Sequence, residues 1–281
     1  LDHTITGAIS FKHVGFLYEN SQIQAIQDFN LEVKAGESVA ILGTTGSGKS
    51  TLAQLLCRLY DPTEGTIHID GIPLIDYQVQ AYRKQIGYVP QDIFLFSDTI
   101  ENNVRFGADD IPFARIEQAV KDANLEKNIL DFPLAYKTFL GERGITLSGG
   151  QKQRLSIARA IVRDPKILIL DDCLSAVDTH TENTILNNLK RIMDGRTSII
   201  ISHRVSSAKL ADRIVVLENG KIIEQGTHAT LMRQDGAYKE LYEKQLVSEE
   251  SLCSATLHKM CIKTAPSASQ SSITYLMGRH L

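Results

Sequence analysis

Gly43-Thr44-Thr45-Gly46-Ser47-Gly48-Lys49-Ser50 decides the reading of this chain of 281 residues. The stretch fits the pattern G-x-x-x-x-G-K-[ST], in which a curled main chain wraps the phosphates of a nucleotide. Gly43, Gly46 and Gly48 free the backbone to curl, so that successive N–H groups, those of Thr44, Thr45 and Ser47 among them, point inward at anionic oxygens. Lys49 is placed to reach the β- and γ-phosphates, and Ser50 to offer its hydroxyl to Mg2+. The flanks agree with this. Ser38 to Leu42 is a short apolar run suited to a buried strand. The run from Thr51 to Leu59 has helical spacing, with Leu52, Leu55, Leu56 and Leu59 on one face. A loop that leads from a strand into a helix N-terminus adds the helix dipole to the grip on an anion, and Thr51 completes the binding set.

Composition narrows the class. A net charge of −3 gives no broad basic field, which excludes nucleic acid as the main partner. No apolar run reaches the roughly 18 residues that a membrane-spanning helix needs. Leu1-Asp2-His3-Thr4 shows no signal peptide and no initiating Met, so the sequence is expected to start inside a longer protein or after a tag. Cys57, Cys173, Cys253 and Cys261 have no framework spacing and read as reduced thiols of a cytosolic protein. Cys253, His258 and Cys261 lack a fourth ligand and the usual spacing for zinc.

Strand and helix patterns alternate around the loop. Ile9 to Tyr18 and Ala25 to Val33 read as strands, and Thr66 to Gly71 as an exposed, alternating one. Ile86 to Gln91, Lys166 to Leu170 and Thr197 to Ile201 read as further strands. Arg213 to Gly226 reads as a hairpin turned at Asn219-Gly220. Helical spacing covers 97–162, most clearly Ala114 to Ala123 and Gly149 to Val162, and returns over Thr179 to Ile192 and Leu231 to Leu246. The predicted fold is α/β: a mostly parallel sheet with helices on both faces, formed by 1–91 and 164–246, with a helical insertion at 92–163. Residues 247–281, rich in Ser and Thr and without sustained period, read as a disordered or non-native tail.

Two further motifs carry chemistry. Ile167 to Asp171 is an apolar strand ending in a carboxylate. Placed next to the loop strand, it would deliver Asp171 to the Mg2+ shell; otherwise Asp171 is a solvated cap on a core strand. Leu147-Ser148-Gly149-Gly150-Gln151 precedes a helix and either presents N–H groups to an anion or is an N-cap formed by Ser148.

These motifs, with Leu170-Asp171-Asp172 and Ser202-His203, occur in the order and approximate spacing of ATP-binding cassette ATPases, which residues 9–246 resemble. The resemblance implies a P-loop NTPase core with an antiparallel β subdomain and an inserted helical subdomain. ATP and Mg2+ are the implied ligands. Tyr18 takes the place of the aromatic residue that stacks on adenine, and Gln91 that of the glutamine sensing Mg2+ and the γ-phosphate. His203 stands where a histidine contacts the γ-phosphate. Two such cassettes pack head to tail, so that Ser148, Gly149, Gly150 and Gln151 of one cover ATP held by the other, and Ser175 to Asp178 links the two sites. Leu95 to Ile100, Thr138 to Gly144 and the opening Gly7 to Val14 resemble exporter cassettes. An exporter implies an upstream membrane-spanning domain and a location on the cytoplasmic face of the cell membrane. Asn102 departs from the glutamate common there.

The larger departure is Asp172, where the family has the glutamate that polarises the attacking water. Aspartate keeps the charge on an arm one methylene shorter, which weakens hydrolysis more than binding. An intact signature beside a substituted base resembles one half of a heterodimeric exporter, with a second, different cassette as partner. The leading expectation is an ATP-hydrolysing motor domain of an exporter. The alternatives are a non-hydrolytic, nucleotide-gated dimerisation module and a soluble cassette ATPase outside transport. The transported substrate is not legible.

Overall fold

The strands separate into two sheets in the computed structural model, which describes residues 3–108, 110–141, 147–173 and 179–247. In chain order the elements are β1 (Ile9–Tyr18), β2 (Ile23–Val33), β3 (Ser38–Leu42), α1 (Lys49–Leu56), β4 (Glu64–Ile69), β5 (Ile72–Pro73), α2 (Val79–Arg83) and β6 (Ile86–Val89). Then follow α3 (Ile100–Arg105), α4 (Phe113–Asp122), α5 (Glu126–Leu130), α6 (Gly149–Ile161), β7 (Ile167–Asp171) and α7 (Thr179–Met193). The series closes with β8 (Thr197–Ser202), α8 (Val205–Ala208), β9 (Arg213–Glu218), β10 (Lys221–Gly226) and α9 (His228–Gln234). The chain divides into units 1–240 and 241–281, and in the second the residues 241–247 are helical.

One is an antiparallel sheet in the order β2-β1-β4-β5. The uniformly apolar strands lie in a six-stranded sheet ordered β10-β9-β3-β8-β7-β6, parallel except for β10. Parallel strands are covered on both faces, which is why β3, β7 and β8 are buried at every position. Period two sends Val39, Ile41, Ile167, Ile169, Ile199 and Ile201 into the core shared with the antiparallel sheet. Leu52, Leu55 and Leu56 of α1 fill the space between the sheets. Each stabilises by roughly 1.5–3 kcal/mol, far more than the helix propensity of so short a segment supplies. Packing therefore fixes the direction in which the phosphate loop faces. The α/β class and mostly parallel sheet follow the sequence reading.

Four details correct it. The helix after the loop ends at Leu56, because Arg58 turns left-handed (φ 52°), and Leu59 leaves the apolar face to stand 52% exposed. β4 is not an exposed strand: it sits between β1 and β5 with Ile67 and Ile69 buried. The helix expected over 231–246 breaks at Asp235 (φ 57°). There the Glu224 carboxylate accepts from the N–H groups of Ala237 (2.7 Å) and Tyr238 (3.0 Å) and restarts a helical turn. Finally, β8 separates β3 from β7, so the strand bearing Asp171 does not adjoin the loop strand. The expected tail from 248, with Cys253 and Cys261, lies outside the described residues, as do 142–144 and Ser175 to Asp178.

Candidate active site

The phosphate loop is held from behind by backbone. A Cβ on Gly43 would stand 2.3 Å from the Leu217 carbonyl oxygen of β9 and 2.6 Å from Ser47 Oγ. Gly48 is left-handed (φ 102°), and a Cβ there would meet the Ala25 carbonyl oxygen at 2.4 Å. The hairpin turn at Asn219-Gly220, with both residues at positive φ as a type I′ turn requires, buttresses the loop. Gly220 donates its N–H to Ser47 O (3.1 Å) and accepts from Gln27 N (3.0 Å). Thus β2, β9 and the β9–β10 turn together shape the curl.

Lys49 folds over the loop. Its Nζ donates to the carbonyl oxygens of Gly43 (2.8 Å) and Thr44 (2.7 Å). Burial pulls its pKa below the ordinary lysine value, against the pull of Asp172 and Asp171. Ser50 Oγ donates to Asp171 Oδ1 at 3.2 Å, and the Tyr88 hydroxyl of β6 lies 3.5 Å from Asp171 Oδ2. Burial raises the Asp171 pKa; Asp172 adds to the rise, while Ser50, Lys49 and Tyr88 oppose it. A carboxylate whose anion is disfavoured by burial gains most from an arriving cation. Burial likewise pushes the Tyr88 phenol well up.

Asp172 follows at the strand end in a left-handed conformation (φ 44°), with its N–H on Ile201 O (2.8 Å). Its Oδ1 lies 2.9 Å from Nδ1 of His203, just beyond β8. The intervening strand β8 therefore brings His203 to Asp172, while α1 leans across β7 and β8 far enough for Ser50 to reach Asp171. Tyr18 ends β1 with its hydroxyl bonded to Thr51 (3.1 Å) and Gln54 (3.0 Å).

These groups line one cleft of about 290 Å³ that collects Tyr18, Thr45, Gly46, Gly48, Lys49, Ser50, Thr51, Gln91, Asp171, Asp172 and His203. Gly43, Thr44 and Ser47 belong to the loop but do not line the cleft: Gly43 and Ser47 are buried and Thr44 is exposed. Ser148, Gly149, Gly150 and Gln151 do not line the cleft. They open α6 in a capping box: Ser148 Oγ accepts from Gln151 N (3.3 Å) and Gln151 Oε1 from Ser148 N (2.9 Å). Ser148 and Gly149 are exposed. Sequence reading missed Ile23, Ala25 and Ile201, which also line the cleft. Ile23 is 58% exposed at the start of β2, two residues before the expected strand; a β-branched residue just after the turn at 19–21 is the available signal.

The residues present fit magnesium–triphosphate. The donor set is an ammonium, a hydroxyl and a carboxylate around a cradle of N–H groups at a helix N-terminus. Among the described residues no three His, Cys, Asp or Glu side chains converge as a metal cage. Ser50, Asp171 and Gln91 offer a hydroxyl, a carboxylate and an amide oxygen, a set that suits a cation shared with phosphate.

A family model described as ABC transporter matches residues 26–175. The chain is 45% identical over 239 residues to the probable multidrug resistance ABC transporter ATP-binding/permease protein YheI of Bacillus subtilis, covering 85% of this chain and 41% of that protein. It is 44% identical over 240 residues to the ATP-dependent lipid A-core flippase of Alkalilimnicola ehrlichii, again 85% of this chain and 41% of that protein. A solved structure of a bacterial Atm1-family ABC exporter with ATP bound matches with a TM-score of 0.82 at 42% identity, over 85% of this chain and 42% of that one. The chain thus spans about two fifths of these relatives' length.

Proposed function

This chain belongs to the ABC transporter family, as an ATPase of it, and from that premise we propose that it is the motor domain of an exporter. The observation that carries the proposal is the convergence of Lys49, Ser50, Asp171, Asp172 and His203 on one cleft.

In this reading ATP lies with its base against Tyr18 and its phosphates in the loop. Lys49 leaves the carbonyls of Gly43 and Thr44 for the β- and γ-phosphates, and N–H groups of the loop hold the same oxygens. Ser50, Asp171 and Gln91 would hold Mg2+, which supplies neutralisation of the phosphate charge when bound. Asp172 orients the attacking water and accepts its proton, with His203 holding the carboxylate by the 2.9 Å contact. His203 also faces the γ-phosphate. Ser148 to Gln151, outside the cleft with Ser148 and Gly149 exposed, cover ATP bound to a second cassette packed head to tail. That cassette is a different subunit carrying glutamate where this chain has Asp172.

The force is passed to a membrane-spanning domain, fused upstream, at the cytoplasmic face of the membrane. An apolar surface supports this docking: Phe94 and Phe106 are each 56% exposed, Phe96 bridges them, and Arg159 lies 5.6 and 5.7 Å from the Phe96 and Phe106 rings. Among the described residues no helix is long and apolar enough to cross a membrane. Asp172 favours one second reading, a clamp that pairs on ATP without cleaving it.

Sedimentation and phosphate release on the same sample separate the two. The motor reading expects Mg-ATP to drive pairing and slow, measurable phosphate release. Pairing with no release over many hours favours the clamp, and absence of both together with no uptake of Mg-ATP contradicts the proposal.

A further inference from the structure

We propose that Gln54 is a positioning residue for the nucleobase, acting with Thr51 through Tyr18. The inference rests on the reading that ATP binds in the cleft with its base against that ring.

A phenol has one hydrogen to give. Tyr18 gives it to Gln54 Oε1 at 3.0 Å, so the 3.1 Å contact with Thr51 Oγ1 runs the other way, threonine donating to the phenol oxygen. The result is a directed chain, Thr51 to Tyr18 to Gln54, that uses both functions of the hydroxyl. The hydroxyl lies on the axis about which the ring spins, so this tether fixes where the axis points but not the plane of the ring. Two edge-on contacts fix the plane. Phe16 meets the Tyr18 ring at 4.8 Å and 88°, and Tyr60 meets it at 5.8 Å and 84°. A terminal aromatic torsion is otherwise broad, and these contacts narrow it.

The location of the tether gives it a consequence. Thr51 and Gln54 are three apart on α1 and share a face of that helix. Lys49 and Ser50 open the same helix. The platform for the base and the grip on the phosphates are therefore fixed to one rigid element, although Tyr18 itself ends a strand of the other sheet. Gln54 does not line the cleft, so its contribution must pass through the ring. Its removal should weaken recognition of the base and leave recognition of the phosphates intact.

Binding of Mg-ATP and of Mg-tripolyphosphate to the 281-residue chain, measured by calorimetry, tests this. Gln54→Met removes the acceptor and is expected to weaken Mg-ATP about fivefold, the worth of one neutral hydrogen bond. Mg-tripolyphosphate should stay within about twofold. Gln54→Glu keeps an acceptor and should restore the ratio of the two affinities. Tyr18→Phe should match Gln54→Met, and the double variant should lose no more than either single one. Tyr18→Phe also carries the test should Gln54→Met fail to fold. Equal weakening of both ligands, an unchanged ratio in Gln54→Met, or multiplying losses in the double variant would each overturn the inference. A wild-type chain that binds tripolyphosphate as tightly as ATP would overturn the Tyr18 reading, and the inference with it.

Discussion

Lengthening Asp172 by one methylene should raise turnover and lower stability together. Both ends of this residue are tied: its N–H bonds to Ile201 O at 2.8 Å, and its carboxylate sits 2.9 Å from His203 Nδ1. Neither tie leaves slack for the side chain to move outward. A carbon–carbon step is about 1.5 Å, which projects to about 1 Å of missing reach. Misplacement of that size costs on the order of 100-fold in rate, or about 2.7 kcal/mol of barrier. Asp172→Glu should therefore raise phosphate release by about 10- to 100-fold at saturating Mg-ATP. The backbone works the other way. Residue 172 is left-handed (φ 44°), a conformation that aspartate tolerates better than glutamate. We expect a loss of about 1 kcal/mol, seen as a melting point about 2–4 °C lower. Phosphate release and thermal denaturation on the same preparations give both numbers. Fast wild-type turnover with no gain on substitution would refute the reasoning about reach, and an unchanged melting point would refute the reasoning about strain.

Two substitutions in the loop should separate strain from collision: Gly46→Ala meets open space at φ 83° and should cost about 1–2 kcal/mol, whereas Gly48→Ala also strikes Ala25 O and should cost about 2–4 kcal/mol. Equal losses in urea denaturation would contradict this. Asp70 accepts from Thr6 N and Thr6 Oγ1 (both 2.6 Å), Gly7 N (3.0 Å) and Ala8 N (2.8 Å). Burial works to raise its pKa, but these hydrogen bonds outweigh it and hold the group below 3.8. A depressed folded pKa gives stability that is present above the unfolded value and lost as pH falls through the folded one. Asp70→Asn should therefore lower the melting point near neutral pH, and the difference should narrow as the pH falls through the depressed folded pKa. A difference constant across that range would count against the carboxylate as its source.

What the sequence reveals and what it hides divide along physical lines. The loop, the strand ending at Asp171, the turn at Asn219-Gly220 and the cap at Ser148 are local, since backbone sterics or hydrogen bonding demands those residue types within a few positions. All four are legible. Strand order is not local. Nothing between Leu42 and Asp171 tells that β8, later in the chain, inserts between β3 and β7. The same insertion carries His203 to Asp172, so that pair is invisible as geometry in the sequence and enters it only through family resemblance. Leu59 misleads because three preceding leucines set a face that a single left-handed residue, Arg58, then abandons. Ile23 reaches the cleft because β2 begins two residues earlier than its apolar run suggests. Tyr18 becomes a partner of a base only through family resemblance, and nothing in its spacing shows the tether to Thr51 and Gln54 of α1.

Calorimetric titration of Mg-ATP into the folded chain, alongside Lys49→Ala, tests the central claim most directly. The ammonium that now bonds the carbonyls of Gly43 and Thr44 is expected to move to phosphate oxygens, so the wild type should take up the nucleotide and Lys49→Ala should bind about tenfold more weakly or worse. No uptake by the wild type, or the same affinity in both proteins, would contradict it.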